Sequence, residues 1–375
     1  MQQGRQFTSI DFDDRGEHCV AVGQDETIHL WNVRTGKHTN KLYSKKYGAD
    51  IVRFSHQSSS VLYASTKGND TIRYHSLHDN RYLHYFQGHT SRVCTIQMSP
   101  VDDTFVSGAV SESLRLWDLR SKSCHAYVPC QGHPTAAYDP SGQVIALGFS
   151  ERNTVLLYDS RKFTDTPFER YDLEDNAYLS QFSMPPRHPL ITSLSFCPNP
   201  QSDHLLVGTA GDQHYVIDSF ERRYKWRLVG HEGLGRVAED PIVEGGEETQ
   251  DDATAAGTNS NDSRGPSRLP EAGVSGEEVC WSPDGKFVLA GTATGAIVIW
   301  EIPGTEESQR LQEKQAQRNG GNVDISLQPV AKLDGPSGAV RAMAFSPRTA
   351  GGYWQTCVQV YSSDTDRSRH FRPIS

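Results

Sequence analysis

An alternating apolar run that ends in an aromatic residue recurs along this chain of 375 residues, and that recurrence restricts the fold more than any other feature. It reads Ile28-His-Leu-Trp31-Asn, Ile72-Arg-Tyr74, Leu114-Arg-Leu-Trp117-Asp, Val155-Leu-Leu-Tyr158-Asp and Ile297-Val-Ile-Trp300-Glu, with Tyr215-Val-Ile217-Asp in the same slot. Successive spacings from Trp31 are 43, 43, 41, 59 and 83 residues. The first three match a four-stranded propeller blade of about 40 to 45 residues. The longer two are blades that carry insertions. Alternation of this kind marks a strand with one buried face, and the aromatic residue fills the space between neighbouring blades.

Upstream of each anchor a second run closes in a turn. These are Asp11-Phe-Asp-Asp-Arg-Gly16, Gln97-Met-Ser-Pro-Val-Asp-Asp103, Tyr138-Asp-Pro-Ser-Gly142, Phe196-Cys-Pro-Asn199 and Trp281-Ser-Pro-Asp-Gly285. They read as strand A and its hairpin into strand B, with Pro and Gly supplying the backbone angles. Gly-His pairs at 88–89, 132–133 and 230–231 precede strand A, as in WD40 repeats, and a seventh unit starts at Val340-Arg-Ala-Met-Ala-Phe-Ser-Pro347. The expectation is an all-β, seven-bladed WD40 β-propeller over residues 1–375 as one domain, with an irregular last blade whose strand C ends at Tyr361 or at Phe371. Only seven residues precede its first strand, so the expectation includes a ring without a closing strand from the N-terminus. Many WD40 blades lock themselves with a His, Ser or Thr, Asp and Trp set. Here the Asp falls in place only as Asp25, where no Gly-His precedes, and Ser111 replaces it beside His89, Ser107 and Trp117. A ring held by packing more than by polar locks is therefore expected.

Placing the strands assigns each insertion to a face. The top is the face that carries the loops between strands D and A and between strands B and C. Residues 232–277 leave from it as an acidic insertion whose stretch from Gly245 to Pro266 is expected to be disordered, or else a decoy for a basic partner, and Glu239 to Glu278 is expected to be dispensable for folding. Glu239 to Glu278 holds 11 acidic and 2 basic residues, which is the whole net charge of −9. The remainder is balanced, 35 basic against 35 acidic (37 − 2 and 46 − 11), which argues against bulk attraction to nucleic acid or to an anionic membrane. A polar insertion at 303–328 interrupts blade six, with helix propensity at 306–318 but no apolar stripe. Between Arg161 and Pro189 an outer strand is expected near Phe168–Leu173.

Chemistry is hard to place on such a chain. The seven cysteines form no CxxC pair, no run of 18 apolar residues occurs, and GxGxxG, P-loop, GxSxG and HExxH patterns are missing. His75, His78 and His84 have superficial ligand spacing but straddle a hairpin, and Asp102-Asp103 fits a turn. The expectation is a non-enzymatic protein without cofactor or metal.

The segments Ser44-Lys-Lys-Tyr-Gly48, Asn80-Arg-Tyr-Leu-His-Tyr-Phe-Gln-Gly-His89, Pro100-Val-Asp-Asp-Thr-Phe-Val-Ser107, Leu114-Arg-Leu-Trp-Asp-Leu119 and Ala137-Tyr-Asp-Pro-Ser-Gly142 lie outside the generic repeat consensus. In them the chain resembles one WD40 family, that of the Swd-two subunit of COMPASS, the histone H3 lysine methyltransferase complex. The resemblance is strong from Thr8 to Asp159 and continues to Phe345. It implies a nuclear adaptor, one copy within a hetero-complex, that links the methyltransferase to transcribing polymerase II. It also implies a part in transcript cleavage, polyadenylation and termination. Implied partners are the methyltransferase subunit, cleavage and polyadenylation factor subunits and the phosphorylated polymerase tail, with no direct contact to nucleic acid or membrane. A substrate receptor of a cullin-type ubiquitin ligase is the alternative, although no F-box-like segment precedes blade one. The expected partner-binding residues on the top face are Lys45, Lys46, Tyr47, Lys67, Arg92 and Arg152, because clustered cations hold phosphate-bearing peptides through charge-assisted hydrogen bonds.

Overall fold

The computed structural model describes residues 7–23, 25–121, 123–181, 186, 190–199, 203–219, 223–231, 276–304, 326–334, 340–347 and 356–359. Blade one consists of β1 (Phe7–Phe12), β2 (His18–Gly23), β3 (Thr27–Asn32) and β4 (Lys37–Tyr43). Blade two consists of β5 (Val52–Phe54), β6 (Ser60–Ala64), β7 (Ile72–Ser76) and β8 (Arg81–Phe86). Blade three is β9 (Val93–Met98), β10 (Thr104–Ala109), β11 (Ser113–Asp118) and β12 (Cys124–Pro129), and blade four is β13 (Pro134–Tyr138), β14 (Val144–Phe149), β15 (Thr154–Asp159) and β16 (Glu169–Asp172). Blade five holds β17 (Ile191–Phe196), β18 (His204–Thr209), β19 (His214–Asp218) and β20 (Arg223–Leu228), plus a fifth strand described below. Blade six holds β21 (Val279–Trp281), β22 (Phe287–Gly291) and β23 (Ile297–Glu301). Ser326–Leu327, inside the 303–328 segment, forms β24 and pairs in parallel with the outer edge of β20. The chain then returns as β25 (Ala331–Leu333) to complete blade six beside β23.

The seventh position corrects the expected blade count. Six blades form among the described residues, and the seventh slot holds a two-stranded sheet of β26 (Ala342–Phe345) and β27 (Thr356–Gln359). β26 is apolar enough to fill its slot, with Val340, Ala342 and Met343 buried and the strand packed between β1 and β21. Tyr361 and Phe371, the two candidate ends of a further strand, lie outside the described residues. So do 232–275 and 305–325, which contain most of both expected insertions. The expected outer strand of blade four is β16.

Packing between neighbouring blades makes the core. Val20, Ile28, Val52 and Tyr63 fill the space between blades one and two, and Phe86, Val93, Phe105 and Trp117 that between two and three. Leu289, Ile297, Val340 and Met343 join blade six to β26, and Phe7, Ile10, Trp31 and Ala342 join β26 to blade one. Apolar contact therefore runs right round the ring. At roughly 25 cal/mol per Å2 of apolar surface removed from water, side chains of this size each supply about 2 kcal/mol.

Trp31, Trp117, Tyr158 and Trp300 are buried in the anchor slot, but blade two departs from the expected pattern. Trp117 pairs across to Phe105 and Trp31 to Cys19, just after the strand irregularity; in blade two the equivalent partner of Val61 is His75, and Tyr74 lies one residue off. A shift of one residue exchanges the two faces of a strand. His75 is buried, stacks on Tyr82 at 4.9 Å and places Nε2 3.0 Å from Asn80 Oδ1. His78 instead pairs with Asp79 at the exposed turn, so two of the three histidines serve separate local structures.

Blade three contains a polar lock that the sequence pattern hides. Trp117 Nε1 donates to Ser107 Oγ at 2.8 Å, Ser107 Oγ lies 2.7 Å from His89 Nε2, and His89 Nδ1 lies 3.1 Å from Glu112 Oε2. Glu112, next to Ser111, supplies the carboxylate. An acceptor at Nδ1 requires the proton there, which leaves Nε2 to accept from the serine hydroxyl. Packing was expected to outweigh such locks, and blade three carries one in which Glu112 stands in for the missing Asp.

Candidate partner-binding surface

Blade two positions the top rim. The loop from β4 into β5 turns at Gly48, whose φ of +69° lies in the left-handed region and whose missing Cβ leaves room for Thr66. The Tyr47 carbonyl then accepts from the amides of Thr66 and Lys67 at 3.0 and 2.8 Å, which ties this loop to the turn between β6 and β7. Ser44 Oγ donates to Gly48 O at 2.9 Å and lies 3.1 Å from Tyr63 Oη, itself 3.1 Å from Tyr82 Oη. The Lys45-Lys46-Tyr47 tip is thus presented by a braced loop.

Under the tip lies a cation that sequence reading missed. Arg73, 3% exposed, stacks its guanidinium 3.5 Å from the centre of the Tyr47 ring, with the Tyr82 and Tyr85 rings at 5.4 and 5.2 Å. It donates to Ser65 Oγ at 2.7 Å and to Asn69 Oδ1 at 3.3 Å. Arg73 is directly opposite Tyr85 across β7 and β8, and a cross-strand Arg–Tyr pair was the available signal. Lys46 Nζ sits 5.0 Å from the Tyr47 ring, and the hydrogen bond and positive charge of Lys46 hold the Tyr47 phenol below its ordinary pKa.

The six expected residues do not form one patch. Lys45, Lys46, Tyr47 and Lys67 come together, with Lys67 also ion-paired to Glu26. Arg92 is ion-paired at 2.5 Å with Asp50, so its charge is largely neutralised. Arg152 is exposed in the turn between β14 and β15, on blade four.

A second polar cluster ties blade six to blades one and two. Glu277, buried just before β21, accepts from Ser9 Oγ at 2.7 Å, from the Ile10 amide at 2.8 Å and from Arg53 Nη1 at 2.7 Å. Its carbonyl accepts from the Met343 amide at 2.8 Å. One residue thus joins blades six, one and two and the seventh sheet. Asp11 beside it accepts from the Phe54 amide at 2.7 Å; burial pushes its carboxyl up to about 6, with Arg53 opposing. Neighbouring Glu278 accepts from Thr192 Oγ1 on blade five. The assignment of 232–277 as an insertion and of Glu239 to Glu278 as dispensable therefore stops short of these two residues, which are part of the ring.

Among the described residues no group of three His, Cys, Asp or Glu side chains converges as a metal site, and no helix is long and apolar enough to cross a membrane. Burial pushes the Cys94 thiol up and Cys280 to about 12, which leaves both as neutral thiols near pH 7. A cleft of about 580 Å3 opens on the opposite face between blades three and four, lined by Val101, Leu116, Tyr138, Arg161 and Phe163 among others. The rim offers cations and aromatic faces, which is the chemistry of docking.

The chain is similar to known proteins. The model of the WD domain, G-beta repeat, matches residues 3–32, 80–118 and 277–301. WD repeat-containing protein 82 of Drosophila melanogaster is 32% identical over 294 residues, covering 78% of this chain and 77% of that protein. COMPASS component SWD2 of Saccharomyces cerevisiae is 32% identical over 293 residues, 78% of this chain and 75% of that protein. Set1 complex component swd2 of Schizosaccharomyces pombe is 38% identical over 215 residues, 57% of each chain. Identity at this level over three quarters of two full relatives, on a ring built from the same repeat, means that the chain belongs to the WD40-repeat family of WD repeat-containing protein 82 and the SWD2 proteins.

Proposed function

We propose that this protein is a non-enzymatic scaffold subunit of a COMPASS-type, Set1-type histone H3 lysine-4 methyltransferase complex in the nucleus. The observation that carries the reading is the family match to relatives named as components of those complexes. The braced rim of Lys45, Lys46, Tyr47 and Lys67 over Arg73 supports it, since it is a surface fit for docking. In this reading the subunit links the methyltransferase to transcribing polymerase II, whose phosphorylated tail meets the rim, and also serves the cleavage and polyadenylation machinery. In this reading Arg152 is a separate exposed cation on blade four, and Arg92, ion-paired with Asp50, adds little.

Methyl transfer to a histone H3 peptide tests the first part. The isolated chain is expected to show none, while material recovered through a tag on the chain is expected to show turnover. Turnover by the isolated chain, or recovery solely with cullin-type ligase subunits, sinks the reading. For the tail, replacing Lys45, Lys46 and Arg152 with alanine is expected to weaken binding of a phosphorylated tail peptide by about 1 to 3 kcal/mol. Equal binding of phosphorylated and unmodified peptide by fluorescence anisotropy at physiological salt contradicts it.

A further inference from the structure

Outer strands decide what can be added to a propeller from the side. Among the described residues β4, β8, β12, β16 and β25 each pair on one side only, whereas blade five has taken a fifth strand, β24. That addition uses main-chain pairing of Arg227–Leu228 with Ser326–Leu327 and a side-chain bond from Arg227 to Ser326 Oγ at 2.8 Å. An outer edge of this ring therefore accepts an extended segment, and the open edges differ in what they would accept.

Charge sets β4 apart. Residues 37–47 carry four lysines and no carboxylate, whereas on β16 Arg170 and Asp172 ion-pair with each other at 2.8 Å. Tyr43, 64% exposed, is flanked by the ammonium groups of Lys41 and Lys45 at 4.9 and 5.6 Å from its ring. Lysines on an edge repel a second copy of the same edge, but they leave the outward backbone N–H and C=O groups free to pair with a chain of opposite charge. We propose that β4 is a docking edge for an extended acidic segment of a partner protein, which adds to blade one as a fifth strand. Backbone pairing holds the segment, and its carboxylates meet Lys41 and Lys45 on either side of the Tyr43 ring. The proposal goes beyond the assembly assigned above and does not depend on which complex holds the chain.

The probes are two fluorescein-labelled 12-residue peptides, one alternating Glu and Val and one alternating Lys and Val, titrated with the full chain at physiological salt. The acidic peptide is expected to bind at least about tenfold tighter, a difference of about 1.4 kcal/mol. Hydrogen exchange is expected to slow at Lys37–Tyr43 and to stay unchanged at β8. Lys41→Glu with Lys45→Glu, at unchanged melting temperature, is expected to reverse the preference, and an acidic peptide N-methylated through its central six residues is expected not to bind. Equal binding of the two peptides, no binding of either, protection elsewhere than β4, or full binding of the N-methylated peptide each overturns the proposal. None of these results bears on recovery of the chain with a methyltransferase, so the two readings fail separately.

Discussion

At the scale of single residues, polar groups rather than anchors hold what the repeat pattern could not show. Trp31, Trp117, Tyr158 and Trp300 were legible because aromatic residues at a fixed period have one place to go. Glu112 and Glu277 were not, because a carboxylate in a turn or at the end of an acidic run looks solvated until its neighbours are known. Glu277→Ala leaves Arg53 without its nearest partner and the Ile10 amide without an acceptor. It is expected to cost about 3 kcal/mol, the range for breaking a buried ion pair, read as a fall in the urea midpoint. An unchanged midpoint would show that these contacts between blades add nothing. Gly48→Ala is expected to cost at least about 1 kcal/mol, because it adds a Cβ at positive φ against Thr66. It should also disturb the rim, and a stable variant with an undisturbed Tyr47–Arg73 stack refutes that. Burial lowers the Gly-His histidines His133 and His231 to about 4, and each is neutral in the fold. A folded pKa below the unfolded value near 6.5 gives stability that is full above 6.5 and is lost as pH falls towards 4, about 3 kcal/mol for each histidine. Asp11, raised to about 6, acts in the opposite sense over the same range and offsets part of the loss. Lower stability at pH 5 than at pH 7 by chemical denaturation is the expected net result, and equal stability refutes it.

At the scale of elements, strands A to D of blades one to six follow from alternation and turn residues, since both are local signals. Two features depended on distant partners and stayed hidden. His75 takes the anchor slot, one residue further along than the aromatic pattern places it, because it and not Tyr74 lies opposite Val61. β24 leaves blade six for blade five, which no local pattern announces. β26 fills the seventh slot from the Val340 to Phe345 run, which was legible, and the irregular last blade expected there is, among the described residues, a sheet of two strands. Deleting residues 239–275 is expected to leave thermal unfolding within a few degrees, because their composition cannot supply a core and blade strands, β20 and β21, stand before and after the segment. Extending the deletion through Glu278 is expected to lower the melting temperature further. A large loss from the shorter deletion, or equal melting of both, contradicts the boundary drawn by Glu277.

At the scale of the whole molecule, the ring holds the proposed docking rim rigid. Apolar clusters between blades fix each loop base, Glu277 ties blade six to blades one and two, and the rim of blade two is braced from below by Tyr63, Tyr82 and Arg73. The family resemblance was legible in Ser44 to Gly48 and in Asn80 to His89, and the structure shows these segments meeting around Arg73. What sequence alone could not give was which cations remain available, since Asp50 and Glu26 had no visible link to Arg92 and Lys67. In the proposed assembly this ring holds a Set1-type methyltransferase complex through its rim. Quantitative mass spectrometry of complexes recovered through the tagged chain, beside a Lys45→Glu, Lys46→Glu, Tyr47→Ala variant of equal melting temperature, checks this. Near-stoichiometric methyltransferase subunits are expected with the native chain, and a loss of at least about tenfold with the variant, about 1.4 kcal/mol. Equal recovery with both, or no methyltransferase with the native chain, contradicts it.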